Sequence, residues 1–266
     1  MVSVLSILFS VVTLLLSLVF PIVLAIFFCR KYKVSAATVL LGALTFLVFQ
    51  LVLRIPLLQV LQPVYPGNKP VADFGWGELL LYSLFLSATA ALFEECGRVI
   101  VYKLFLKKKE NWENAAAFGI GHGGFEAISL VGLTYISNLI FMLMINLGLL
   151  KASGNAGDPL SQAVTLLIET PSHMFLLAGV ERFFAIILHI GFSLLVVYGL
   201  SSGKYAFILY AFLAHLALNF PLAFFQRMAG GVYISIVYIG LMAALSYYWI
   251  TRVSARLFSE INASKE

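Results

Sequence analysis

The stretch FEECGR, from Phe93 to Arg98, places two carboxylates and a guanidinium inside an otherwise apolar run. A charge at the centre of a membrane-spanning helix costs about 2.5–3.5 kcal/mol, so such groups are kept for a reason. Glu94 and Arg98 are four residues apart, share a helix face and can neutralise each other. A structural ion pair of this kind would leave Glu95 unexplained. The stretch therefore favours a functional site.

Other apolar runs contain ionisable residues at a similar depth. At about 1.5 Å per helical residue, they and the two glutamates lie roughly 10–16 Å from the same membrane surface. They are His122, Glu126, His189 and His215. His122 and Glu126 share a helix face, as do His215 and Asn219, since each pair is four residues apart. The pattern predicts one polar cluster inside a helical bundle.

These residue types suit hydrolysis by either of two mechanisms. A carboxylate can act as general base toward water while imidazoles donate a proton or stabilise the oxyanion. Alternatively, three side chains can hold Zn²⁺ or another divalent metal and leave one position open for water. The candidate ligands are Glu94, Glu95, Glu126, His122, His189 and His215. The zinc motif HExxH is absent from the sequence, and both mechanisms stay open.

Two residues are expected to act through others. Glu126 is predicted to orient His122, as carboxylates behind a ligand often do. His189 is a supporting candidate that lies at the right depth. Glu181 and Arg182 are expected to form a local ion pair, and His173 is expected to be solvated.

Glycines around His122, in the sequence GIGHGG, would permit close approach of another helix or of a substrate chain.

The elements that position these residues are membrane helices. The 266 residues are 62% hydrophobic and 11% charged, with a mean hydropathy of +1.00. Apolar runs longer than eighteen residues recur, which is typical of a polytopic all-α membrane protein. Seven spans fit best, in one integral-membrane domain over 1–266 with the site core at 78–222. They are 3–29, 36–62, 78–104, 115–148, 172–200, 204–222 and 231–251. The loop 151–171 has room for a short interfacial helix.

Basic residues predict the orientation. With the N-terminus outside and the C-terminus inside, eleven lysines and arginines of the loops and ends lie on the cytoplasmic side and three lie outside. The net charge of +5 is therefore explained by topology, and we expect membrane lipids but no nucleic acid as partners. Cys29 and Cys96 make neither a disulfide framework nor a zinc-finger spacing.

The motifs in this order resemble those of the YhfC-like membrane peptidases. That group belongs with the CAAX-processing and bacteriocin-processing intramembrane proteases, the PrsW-type proteases and the anterior-pharynx-defective subunit of γ-secretase. The shared signature is a diglutamate followed by arginine, a phenylalanine four residues before a histidine, and a histidine four residues before asparagine or aspartate. Here it reads EECGR at 94–98, FGIGH at 118–122 and HLALN at 215–219.

The resemblance implies roles for these residues. Glu94 or Glu95 would activate water, while His122 and His215 would assist or bind a metal. Asn219 would donate into the oxyanion site, and Arg98 would hold a glutamate in place. The CAAX-protease pattern has three residues between the second glutamate and the arginine, whereas this chain has two. The shorter spacing places Arg98 on the face of Glu94, so either glutamate could be the base.

Three functions are compatible with the sequence. An intramembrane protease of a bacterial cytoplasmic membrane, cutting a peptide or membrane protein near the cytoplasmic leaflet, is favoured. A non-catalytic scaffold subunit is the alternative, although a scaffold has little use for an unpaired carboxylate. A proton or metal-ion transporter is less favoured, because it requires polar residues that continue toward the exterior.

Overall fold

A computed structural model describes residues 1–62, 69–152 and 158–263, apart from the side chain of Asn262. The described chain is helical and contains no strand. The helices are α1 (Val4–Tyr32), α2 (Ala36–Leu61), α3 (Trp76–Phe105), α4 (Trp112–Asn146), α5 (Pro159–Glu169), α6 (Ser172–Ser202), α7 (Ala206–Phe225) and α8 (Gly231–Ile261). All but α5 are long and apolar enough to cross a membrane. The predicted seven-span, all-α architecture is confirmed.

Most helix ends lie within three residues of the predicted ones, but α8 continues to Ile261 instead of ending at 251. Its extension is amphipathic. Phe258 is 3% exposed and packs into the core, while Arg256 Nε donates to Glu260 Oε1 at 2.9 Å on the exposed side. A hydropathy window misses such a segment, because its outer face is charged.

The fourth span runs unbroken as α4, with a π-helical turn at Ile128–Gly132. The predicted short helix in the loop 151–171 is present as α5, which Asp158 caps by accepting from the amides of Leu160 and Ser161. The rest of that loop includes 153–157, which lies outside the described residues, as does 63–68 in the second loop.

Helix α6 forms the centre of the bundle. Its most apolar window is 67% buried, against 11–39% for the other spans. It packs against α1, α3, α4, α7 and α8. A side chain on α6 can therefore reach groups from several helices at once, and His189 is such a residue.

Glycines set the distance between α4 and its neighbours. A Cβ atom on Gly119 would lie 2.5 Å from Ile190 Cα on α6 and 2.8 Å from the carbonyl oxygen of His189. A Cβ on Gly121 would overlap the carbonyl of Val39 on α2. The GIGHGG segment thus packs backbone against backbone on two helices, as expected, and brings His122 next to His189.

Candidate active site

Four helices bring their ionisable side chains together around Glu94. Its Oε2 lies 3.0 Å from His122 Nε2, 3.9 Å from His189 Nδ1 and 4.0 Å from His215 Nε2. All four residues are buried, and His122 is fully so. They come from α3, α4, α6 and α7, so the polar cluster predicted inside the bundle is present.

Three of these residues fit a metal ion. The ligand atoms of Glu94, His122 and His189 all lie within 4.8 Å of one another. Tetrahedral zinc with bonds of about 2.0–2.1 Å keeps its ligand atoms about 3.3 Å apart. The distances from Glu94 Oε2 to the two imidazoles, 3.0 and 3.9 Å, bracket that spacing. One carboxylate and two imidazoles are also a common ligand set of catalytic zinc sites.

Arg98 is fully buried beside this group. Its Nη1 donates to Glu95 Oε1 at 2.5 Å, and its Nη2 lies 3.8 Å from Glu94 Oε2. The expected pair with Glu94 is present, but Arg98 lies closer to Glu95, because a residue three positions away on a helix is as reachable as one four away. Arg98 Nη2 also lies 2.7 Å from His189 Nδ1. Since arginine can only donate, Nδ1 accepts, and the His189 proton sits on Nε2.

A chain of charged groups supports His189 from behind. Its Nε2 lies 2.5 Å from Glu126 Oε2, and Glu126 Oε1 accepts a hydrogen bond of 2.8 Å from Arg182 Nη1. Arg182 also pairs with Glu181, as predicted, at 2.5 Å. The expected partner of Glu126 was His122, and the structure corrects this to His189. His189 reaches Glu126 from α6. This contact between helices determines the partner of Glu126, and the four-residue spacing to His122 within α4 does not.

His122 packs between other rings instead. The Phe46 ring meets it edge-on at 5.4 Å and the His189 ring lies 4.9 Å away. Its Nδ1 is buried, and no hydrogen-bond partner for it occurs among the described residues. Only Nε2 is engaged, and it points at Glu94.

His215 is oriented by Glu95. Its Nδ1 lies 2.8 Å from Glu95 Oε1, and Phe192 stacks on its ring at 4.9 Å with an interplanar angle of 12°. A carboxylate at Nδ1 favours the tautomer with the proton on that nitrogen. The lone pair of Nε2 then faces Glu94.

A cavity of about 290 Å³ adjoins the cluster. Glu94, His189 and His215 line it, whereas Glu95 does not. The other residues that line the cavity lie on one side of the cluster. On each helix of the cavity wall, this is the side away from the Lys107–Lys109 end of α3. The polar ones are Gln50, Arg54, Ser83, Ser87, Glu126, Glu181, Arg182 and Asn219. On the opposite side, the fully buried rings of Tyr102 and Phe118 fill the bundle.

Asn219 lies in the cavity wall one helical turn after His215. The residue is half-buried. The structure thus places all eight residues singled out in the sequence in one site, either in the cavity wall or directly behind it.

Sequence reasoning missed the contribution of α2, which lies outside the predicted core 78–222. Gln50 and Arg54 line the cavity from a π-helical segment, Leu47–Arg54, that precedes Pro56. Such π turns are frequent at functional sites. Arg54 is the one charged residue within the predicted second span, and that signal could have identified it. Arg182 was predicted only as a local partner of Glu181, because its contact with Glu126 crosses between helices.

Comparison with known proteins identifies one family and one relative. The family model described as YhfC intramembrane metalloprotease matches residues 16–245. The chain is 36% identical over 237 residues to the uncharacterized membrane protein YhfC of Bacillus subtilis (strain 168), covering 87% of this chain and 90% of that protein. No solved structure matches the chain.

Proposed function

We propose that this chain, which belongs to the YhfC intramembrane metalloprotease family, hydrolyses peptide bonds inside a bacterial cytoplasmic membrane. One observation carries the proposal: Glu94 Oε2 lies within 4.0 Å of three imidazole nitrogens at the end of a polar cavity. Buried ionisable groups of this kind are costly in a membrane unless they act. The substrate is a peptide or a membrane protein, with membrane lipids as surroundings.

The metal-dependent mechanism is better supported than a glutamate acting alone. Glu94, His122 and His189 would hold the ion, which we take to be zinc. For this, the His189 Nδ1 lone pair, which accepts from Arg98 Nη2 at 2.7 Å in this structure, would turn from the guanidinium to the ion. A bound divalent metal would supply Lewis-acid activation of a water molecule and of the peptide carbonyl. Glu126 would fix the orientation and tautomer of His189, as supporting carboxylates do in metal sites. The family name supports this choice over a metal-free glutamate base.

The remaining cavity groups have roles in moving protons and stabilising charge. His215 Nε2 carries a free lone pair toward Glu94 and can take a proton from water, then return it to the leaving amine. Glu95 positions His215 and is held by Arg98. Because Glu95 lies outside the cavity wall, Glu94 is the glutamate that meets the substrate. The Asn219 amide can donate to the oxyanion that forms at the carbonyl.

The shape of the cavity favours an enzyme over a transporter. Polar residues continue from the cluster on one side, as a transport path requires. On the other side Tyr102 and Phe118 are fully buried and close the bundle. A scaffold would not need the connected charges from Glu94 to Arg182. Cleavage near the cytoplasmic leaflet remains a prediction from the basic loops.

Metal content and cleavage test the proposal together. The full chain is purified in detergent, and zinc is measured by mass spectrometry in the wild type, His122→Ala and Glu94→Gln. The same samples are incubated with a mixture of apolar peptides, and the products are identified. We expect near-stoichiometric zinc and cleavage in the wild type, and loss of both in the variants.

The two readouts separate the alternatives. If the folded wild type cleaves peptides without bound metal, the protein is a protease that uses a glutamate-activated water. Bound zinc without cleavage of any peptide or membrane-protein substrate would contradict the protease and favour a scaffold or transporter, which a zinc flux assay in vesicles distinguishes.

A further inference from the structure

Arg54 is a buried cation that forms no salt bridge with the described carboxylates, although Glu94 acts on it at longer range. It is 8% exposed and lines the cavity. Arg98 and Arg182, the other buried guanidiniums of the cavity region, each contact a carboxylate. Among the described residues no carboxylate oxygen lies within 4.0 Å of an Arg54 nitrogen.

The neutral contacts of Arg54 fix its position without cancelling its charge. Its Nε donates to Thr89 Oγ1 at 3.2 Å and its Nη2 to the carbonyl of Leu86 at 2.8 Å. Both partners belong to α3, so the guanidinium is held against the wall that also carries Glu94. An unpaired charge at this depth is expensive, which implies an anionic occupant.

Gln50 lies one helical turn before Arg54 and has a hydrogen-bond acceptor that lacks a donor in the part of the chain that the structure describes. Its Oε1 is buried and has no hydrogen-bond partner among the described residues. Gln50 and Arg54 both line the cavity, so α2 offers an acceptor and a cation to the same ligand. A peptide supplies both complements, an N–H donor and a carboxylate. A lipid headgroup can also supply an anion with a hydroxyl or ammonium donor, and the proposed protease activity favours the peptide.

We propose that Arg54 and Gln50 form a subsite for a peptide carboxylate, with Arg54 binding the carboxylate and Gln50 accepting a peptide N–H. The inference rests on the proposed function and names the part of the substrate that this cavity selects. Arginine pairs with carboxylates through two parallel hydrogen bonds, which makes it the suitable residue type.

The subsite has a defined distance from the reacting groups. Leu86 and Thr89 precede Glu94 by eight and five residues, which is about 7–12 Å along the helix axis. An extended peptide advances about 3.3 Å per residue. The carboxylate would therefore lie two to four residues from the bond cut at Glu94. It is either the peptide's C-terminus or an acidic side chain.

Binding of three matched peptides tests the subsite without requiring hydrolysis. They share the sequence N-acetyl-Leu-Ala-Phe-Ala-Leu: one has a free C-terminal carboxylate, one a C-terminal amide, and one an amide with glutamate replacing the second alanine. Affinities are measured by calorimetry with the full Glu94→Gln chain in detergent and repeated with the wild type. We expect the free acid to bind at least about tenfold tighter than the plain amide, which is about 1.4 kcal/mol, since hydrogen bonds to charged groups are stronger than those between neutral groups.

Two variants locate the preference. Arg54→Gln should abolish the difference between acid and amide, while Arg54→Lys, which keeps the charge, should retain part of it. Gln50→Glu places a carboxylate one turn from Arg54 and should weaken binding of the acid specifically. Thermal unfolding of each variant shows whether it is folded. If an Arg54 variant does not fold, the comparison of the three peptides on the parent chain still tests the preference for a carboxylate.

Each result of these measurements either supports or contradicts the proposed subsite. If the glutamate amide binds like the free acid, the subsite takes an acidic side chain; if it binds like the plain amide, the subsite takes the C-terminus. Equal affinities for all three peptides, absence of binding at millimolar peptide, or a preference that survives Arg54→Gln would overturn the subsite. Binding of phosphatidylglycerol that depends on Arg54, in place of the acid, would show a lipid as the occupant and overturn it too. Absence of cleavage with an intact acid preference would instead contradict the protease.

Discussion

Glu126 Oε2 lies 2.5 Å from His189 Nε2, while the other nitrogen of the same ring faces Glu94 at 3.9 Å. The imidazole thus stands between a carboxylate in ion-pair contact with its Nε2 and the group that would share a metal with it. Arg182 holds Glu126 at 2.8 Å and completes a connected series of charges from the centre of the cluster to the wall of the cavity.

This relationship predicts a loss of metal affinity when Glu126 changes to Gln. The amide keeps the size of the side chain but removes the charge that stabilises His189. Loss of such a supporting carboxylate costs about 10–100-fold in metal affinity. Zinc affinity is measured by competition with a chelator. Glu181→Gln is the matched control, because Glu181 contacts Arg182 but not His189. Equal zinc affinity of Glu126→Gln and wild type would contradict the role.

His215→Ala separates metal binding from proton transfer. His215 is not one of the three residues whose ligand atoms cluster within 4.8 Å, so zinc should bind nearly as in the wild type. Cleavage should fall about 10²–10⁴-fold, the usual contribution of a general acid or base. His173→Ala is the control, because His173 is exposed and bonds to Tyr233 at 2.6 Å. Loss of zinc in His215→Ala would make His215 a ligand instead.

Gly121→Ala should destabilise the bundle. A Cβ at this position would overlap the carbonyl of Val39, and overpacking of this kind costs about 1–3 kcal/mol. Gly77→Ala is the control, because a Cβ there meets nothing within 4 Å. Thermal unfolding in detergent, followed by circular dichroism, should show a lower midpoint for Gly121→Ala and little change for Gly77→Ala. Equal unfolding midpoints of the two variants would mean that α4 and α2 pack less closely than in this structure.

The sequence predicted which residues share a level in the membrane, because depth follows directly from position along a span. Glu94, His122, His189 and His215 were identified in this way. It did not predict how these residues pair. Rotation of one helix against another decides whether Glu126 meets His122 on its own helix or His189 on α6, and helical spacing contains no information on that rotation.

The same limit explains the missed wall of the cavity. Arg54 lies eight residues before the end of its predicted span, at about 12 Å from the membrane surface, but its depth does not say in which direction its side chain points. A π-helical segment changes the direction of its side chain so that it contacts Leu86 and Thr89 inside the bundle. Hydropathy reports the span but not this local change in helical geometry.

The direction of the cavity predicts the side from which substrate enters. Its wall runs from Glu94 back to Ser83, toward the start of α3, and away from Lys107–Lys109, which the basic loops predict to be cytoplasmic. In a chain whose native cysteines, Cys29 and Cys96, are replaced by alanine, Ala223→Cys, at a half-buried position of the same cavity wall, should therefore react with a membrane-impermeant thiol reagent added outside intact cells. Lys108→Cys should react only after the membrane is opened. Labelling is read by the mass shift of the purified protein. If both cysteines react from the same side, the cavity does not open to the exterior, and a peptide would have to reach Glu94 from the cytoplasm or through the lipid.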